Sequence, residues 1–75
     1  MESNQLKLGR YRHYKGKEYR VIGIAKHSET KEDMVVYETL YENDLSKLWV
    51  RPLQMFTENV EIEGKMIPRF EYIGE

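Results

Sequence analysis

Apolar and polar residues alternate along most of this chain, and short polar or glycine-marked breaks interrupt the alternation. A period of two is the mark of half-buried strands, whose successive side chains point to opposite faces. The runs "GRYRHY" and "EYRVIGIAKH" flank "KGK", where Gly16 supplies the turn of a hairpin. In the second run Tyr19, Val21, Gly23 and Ala25 share one parity, and Ile22 and Ile24 the other. Apolar residues on both faces predict a central strand or one that bends, with Gly23 as the place for a bend or bulge. After the polar loop "SETKED", the run "MVVYETLYE" predicts a third strand with Val35, Tyr37, Thr39 and Tyr41 on one side. "NDLSK" reads as a loop. "LWVRP" is a short strand ended by Pro52, which cannot donate to a ladder. "PLQMF" fits one 3-10 or helical turn starting at Pro52. "NVEIEGKMIPRFEYI" predicts a hairpin that turns at Gly64 and returns over 66–73, with Pro68 at an edge.

No run of ten residues carries a 3.6-residue apolar period, so long helices are not expected. Five to six short strands must curl to hide a small core, and the economical result is an all-β, SH3-like, partly open barrel. An OB-like barrel fits less well, since that fold inserts a longer helix. Residues 1–8 read as a flexible polar lead-in, and 9–75 as a single barrel domain.

Composition narrows the picture. A chain of 75 residues makes one domain, and at this size only roughly 60% of the extended-chain surface is buried. Six Tyr, two Phe and one Trp must therefore supply much of the core. The net charge of −1 argues against a protein held to nucleic acid mainly through its phosphates. There is no Cys, which removes disulfides, thiolate nucleophiles and Cys-ligated zinc. No apolar stretch approaches the ~20 residues of a membrane span, and "MESNQLKLG" lacks the apolar core of a signal peptide. A cytoplasmic protein without membrane attachment is expected.

The strings "GRYRHYKGKEYRVIGIAKHSET", "VVYETLY", "LWVRPLQMF" and "GKMIPRFEYI" occur in this order. Together they resemble a small bacterial family catalogued as domain of unknown function 1653, over Gly9 to Ile73. The resemblance implies an SH3-type β-barrel of similar length and no particular activity. The "YENDLSKLW" connection is slightly longer than the family pattern, which touches only the shape of that loop.

Two groups of residues are candidates for chemistry. The first is the "KHSET" loop, with His27, Ser28 and Glu29 at the end of the second strand. Its structural explanation is that Ser28 and Thr30 hydrogen-bond nearby amides while His27 is a half-buried ring with one satisfied nitrogen. Pairing about Gly16 places His13 opposite residue 19 or 20, away from His27. Two His without a clear carboxylate partner make a poor zinc site, and no metal or cofactor is expected. Ser28 and His27 point to opposite faces of an extended strand, so a Ser–His pair requires a bent backbone. The acidic pairs Glu61 with Glu63 and Glu29 with Glu32 lie in solvent-facing or loop positions, unsuited to tuned acid catalysis.

The second group is aromatic and basic: Tyr11, His13, Tyr14, Trp49, Arg51 and Phe70, flanked by Arg12, Lys15 and Arg69. Trp49 and Arg51 share a strand parity and project from one face. The alternative is that Trp49 plugs the core and Arg51 pairs with a loop carboxylate such as Glu29. These residues lead to a non-enzymatic binding module that recognises a polar or peptide-like partner through a rim of Tyr11, His13, His27, Trp49 and Arg51. The partner is a protein or peptide of unspecified identity. Single-stranded nucleic acid or nucleotide binding through "RYRHYK" is the alternative, and a small hydrolase or metal protein a third reading that lacks its parts. A monomer or weak homodimer is expected, with free strand edges available for pairing.

Overall fold

The computed structural model describes residues 6–75. Seven strands and one helical turn follow in the order β1 (Gly9–His13), β2 (Glu18–Lys26), β3 (Asp33–Thr39), β4 (Leu48–Pro52), α1 (Leu53–Phe56), β5 (Asn59–Ile62), β6 (Lys65–Pro68) and β7 (Phe70–Gly74). All pairings are antiparallel. One sheet has the order β4-β3-β2-β1-β7, and β5 and β6 form a separate two-stranded ribbon. The first four strands are a meander, and β7 returns to pair with β1 after the turn of α1. This is the expected all-β, SH3-like arrangement, curled but open between β4 and β7. No helix among the described residues is long and apolar enough to cross a membrane.

The strand count exceeds five to six because the predicted last strand is two. Lys65–Pro68 pairs with β5, whereas Phe70–Gly74 pairs with β1, and Arg69 marks the break. The backbone of Arg69 is hydrogen-bonded on both sides: its N–H donates to Glu58 O at 3.1 Å and its carbonyl accepts from Tyr14 N–H at 3.0 Å. The ribbon turns through Glu63 and Gly64, with φ of 52° and 81°. Two successive positive φ angles are the mark of a type I′ hairpin turn. Pro52 ends β4 and caps α1 with an extended ψ of 138°, one position earlier than the turn's first helical residue.

The register assigns side chains to faces, since directly opposed residues of an antiparallel pair share one. Tyr11 lies opposite Tyr19 and Tyr72, Val21 opposite Tyr37, Tyr37 opposite Trp49, Val35 opposite Arg51, and His13 opposite Phe70. All of these occupy the concave face. The other face carries Arg10, Arg12, Arg20 and Glu38, with Val36 opposite Val50. A bulge between Val21 and Gly23 leaves Ile22 unmatched, so the simple parity of β2 is overturned beyond it. Ile24 then opposes Val35 and faces inward, and Gly23 opposes Val36 and faces outward. His13 also departs from the expected pairing. Arg12 meets Glu18, and the His13 N–H donates to Lys17 O at 2.8 Å, because the turn is centred on Lys15, one residue before Gly16.

The core consists of Tyr11, Val21, Val35, Tyr37, Phe56 and Phe70, with Leu6, Tyr19, Trp49, Leu53 and Tyr72 packed against it. Phe56 of α1 stacks on Phe70 with ring centroids 4.0 Å apart and planes 4° from parallel. Rings replace the many aliphatics that a chain this short lacks. The lead-in prediction for residues 1–5 lies outside the described residues. Of the rest, Leu6 packs on the core and the Lys7 carbonyl accepts the Tyr11 hydroxyl at 2.7 Å.

Candidate functional site

A continuous row of rings crosses the mouth of the concave face. Tyr41 meets Tyr19 at 5.5 Å, Tyr19 meets Phe70 at 5.7 Å, Phe70 meets His13 at 4.9 Å, and His13 meets Tyr14 at 4.5 Å between centroids. The first three contacts are edge-to-face, the geometry favoured by ring quadrupoles. Each position has a sequence cause. Tyr19 and His13 fall on inward parities of β2 and β1, and Phe70 opens β7 opposite His13. Tyr41 follows β3, in a loop braced by Asn43, whose Oδ1 accepts Leu45 N–H at 2.8 Å and whose Nδ2 donates to Ser46 O at 2.9 Å.

Cations lie over the row. Lys17 Nζ sits 4.6 Å from the centre of Tyr41, Arg51 Cζ 5.5 Å from Phe70, and Lys15 Nζ 5.8 Å from Tyr14. Such contacts are attractive through the ring quadrupole. Arg51 is half-buried, and its Nε donates to the Tyr37 hydroxyl across a long 3.5 Å. No carboxylate pairs with it among the described residues, and Glu29 is exposed in the β2–β3 loop, so the Arg51–Glu29 pairing is not formed. Arg69 does have a counter-ion: its Nη2 lies 3.0 Å from Glu58 Oε2. The Arg69 Nε is buried with no hydrogen-bond partner.

The electrostatics follow from this crowding. Burial, then the charges of Arg51, Arg69 and Lys15, hold His13 below the ordinary imidazole pKa, so the ring is neutral near pH 7. Its Nδ1 accepts the Lys15 N–H at 3.1 Å, which leaves the proton of the neutral ring on Nε2. Burial and a 3.0 Å hydrogen bond to the Tyr41 hydroxyl push the Tyr19 phenol up, and it stays protonated through the physiological range. Burial also raises Tyr11. The mouth therefore offers one uncompensated guanidinium, an imidazole N–H donor and a mutually hydrogen-bonded pair of phenolic hydroxyls around the buried Phe70 ring.

The sequence candidates divide between two places. Tyr11, His13, Trp49 and Arg51 are all on the concave face, but in different roles. Tyr11 is buried, with its hydroxyl committed to Lys7, and Trp49 is half-buried with its indole N–H donating to Ser46 O at 3.0 Å. His13 and Arg51 remain at the mouth. His27, Ser28 and Glu29 are exposed in the β2–β3 loop at the far end of β2, roughly 26 Å of extended strand from the His13 end. There the His27 Nδ1 accepts Glu29 N–H at 3.1 Å and Thr30 N–H at 3.3 Å, while Thr30 Oγ1 accepts Glu32 N–H at 3.2 Å. His27 is thus an exposed acceptor that shapes the loop, in place of the half-buried ring expected. Tyr19 and Tyr41 join this row although the sequence did not single them out. Their inward parities were legible, but their hydroxyl contact depends on β2–β3 register and on the loop after β3. Among the described residues, no three His, Asp or Glu side chains gather to hold a metal ion.

The chain resembles known proteins over most of its length. The model of the family described as "Protein of unknown function (DUF1653)" matches residues 9–72. A crystal structure of a DUF1653 protein from Bordetella bronchiseptica is similar with a TM-score of 0.90 and 37% identity, covering 97% of this chain and 94% of that one. No curated protein matches this chain. The strings read in the sequence, the matched family model and the shared barrel agree, and the chain belongs to the DUF1653 family.

Proposed function

We propose that this protein is a non-enzymatic binding module whose concave mouth recognises a polar, peptide-like partner. The observation that carries the proposal is Arg51: a half-buried guanidinium on the core-facing side of a strand, laid over Phe70 without a carboxylate partner among the described residues. Placing a charge on that face costs desolvation, and an arginine's planar fork is suited to receiving carboxylate or carbonyl oxygens from outside. The half-buried rings of Tyr14, Tyr19 and Tyr41 on either side give apolar edges and faces against which an extended segment can lie. Ser28 and His27 lend no support to nucleophilic chemistry, since the acceptor nitrogen of His27 is occupied by loop amides.

The test is selection of displayed peptides on the wild-type protein with Arg51→Gln as counter-screen. Sequences enriched on the wild type are expected to lose at least about tenfold in affinity on the variant, the loss of one charge-assisted hydrogen-bonded contact. Equal enrichment on both proteins, with unchanged thermal unfolding, overturns the proposal.

The lysines over Tyr41 and Tyr14 favour a second reading, stacking of single-stranded nucleic acid on the same rings. It requires binding of an oligothymidylate that weakens steeply with salt.

A further inference from the structure

We propose that the mouth is specific for an acidic peptide segment, one of whose carboxylates is held between the Arg51 guanidinium and the His13 Nε2–H, above the buried Phe70 ring that both adjoin. This rests on the binding reading above and names the chemistry of the partner.

Charge supplies the first argument. Arg69 is neutralised by Glu58, and His13 is neutral near pH 7, so the cation at the centre of the row without a counter-ion is Arg51. One unpaired positive charge at the centre of the row matches the single charge of a carboxylate. Lys15 and Lys17 are exposed at the two ends of the row, placed to meet further acidic residues of an extended chain.

Hydrogen bonding supplies the second. Arg51 has one long bond, to the Tyr37 hydroxyl, and its terminal nitrogens make none among the described residues. The Lys15 amide fixes the His13 tautomer with the proton on Nε2, and no described residue accepts it. Both groups adjoin the same phenyl ring, His13 at 4.9 Å between ring centroids and Arg51 with Cζ at 5.5 Å from the ring centre. A carboxylate accepts such bonds through two oxygens; a carboxamide has one acceptor oxygen and an NH2 group that clashes with a second donor.

A pH signature follows. The groups facing His13 are Arg51 from β4, Arg69 from the β6–β7 junction, Lys15 from the β1–β2 turn, and the rings of Phe70 and Tyr14. Arg12 and Glu71 line the same cleft, and the charges that act on the ring, those of Arg51, Arg69 and Lys15, are cationic and oppose protonation. A bound carboxylate opposes this, raises the imidazole pKa and couples binding to proton uptake at Nδ1, with release of the exposed Lys15 N–H to water. Affinity therefore increases as pH falls from about 7.5 to 5.5, above the range where the peptide carboxylates themselves protonate.

The experiment is a calorimetric titration of the full chain with two acetylated, amidated peptides built from glutamate and tyrosine or from glutamine and tyrosine in the same order. The glutamate peptide is expected to bind about tenfold more tightly than the glutamine one, and to tighten severalfold at pH 5.5. Arg51→Gln should remove the preference. His13→Gln, which keeps an N–H donor but does not titrate, should keep the preference and abolish the pH dependence. Circular dichroism of both variants guards against unfolding, and Arg51→Lys, which keeps the charge but not the fork, should fall between. Equal affinity for the two peptides overturns the carboxylate assignment and leaves the binding module standing. Binding of neither, with tight salt-sensitive binding of oligothymidylate, overturns both in favour of nucleic acid.

Discussion

Two glycines show how differently the same residue is used here. Gly9 is buried with φ of 135°, and a Cβ on it would lie 2.8 Å from the Gly74 carbonyl oxygen. Both the backbone conformation and the space require glycine. Gly23, beside the β2 bulge, lacks a positive φ, and a Cβ there would meet nothing within 4 Å. Gly9→Ala is expected to destabilise the fold by about 1–3 kcal/mol. Gly23→Ala should be neutral or stabilising by up to about 1 kcal/mol, because it restricts the unfolded chain without strain in the folded one. Urea unfolding of the pair checks this; similar losses for both would show that the bulge needs glycine after all. The candidate residues divide along the same lines. Tyr11 and Trp49 have their polar atoms satisfied inside the protein and His27 spends its Nδ1 on loop amides, whereas Arg51 keeps its terminal nitrogens and His13 its Nε2–H without a partner among the described residues.

At the scale of elements, the β5–β6 ribbon is the least supported part. A two-stranded hairpin is marginal alone in water, and this one has no ladder to the main sheet. Its anchorage passes through Arg69, by way of the backbone bonds to Glu58 and Tyr14 and the side-chain ion pair to Glu58. Glu58 is 45% exposed in that pair, so screening keeps the ion pair itself to within about 1 kcal/mol. Arg69→Ala is expected to speed amide hydrogen exchange in 59–68 severalfold while the β1–β3 amides change little. Uniform acceleration across both sheets would mean that the ribbon and the main sheet open together. The elements themselves were legible from the sequence: the alternation located the strands, Gly16 and Gly64 marked turns, and Pro52 marked the helical turn. The division of the last strand at Arg69 was not, because "MIPRFEYI" reads as one strand until its two halves are given different partners.

The whole molecule is held by rings more than by charges. Six side chains form the buried apolar core, four of them aromatic. The ion pairs of the main sheet are loose and exposed, Arg12–Glu18 at 3.9 Å, Arg20–Glu38 at 4.0 Å and Lys47–Glu38 at 3.9 Å. Lys26–Asp33 is shorter at 2.7 Å, with the lysine 67% exposed. Unfolding free energy should therefore move by less than about 1 kcal/mol between low and moderate salt. A loss above about 2 kcal/mol in a urea midpoint series would show that charges carry more of the fold than their geometry suggests. Ligand binding, in contrast, is expected to weaken with salt, since it draws on an unpaired guanidinium.

What the sequence determined by itself is the local pattern. Period-two alternation, turn residues and a shortage of aliphatics are enough to specify short strands curling around aromatic rings, and the parity of "LWVRP" was enough to put Trp49 and Arg51 on one side. Which side, and beside what, followed from how distant strands met. One unmatched residue in β2 reverses the faces of Ile24 and Gly23. The curl of the sheet brings Arg51 of β4 over Phe70 of β7, at opposite ends of the strand order. The length of β2 holds His27 away from His13. Alternation is a property of neighbouring peptide units, whereas the meeting of distant strands depends on register, bulges and accumulated twist, which no local window contains.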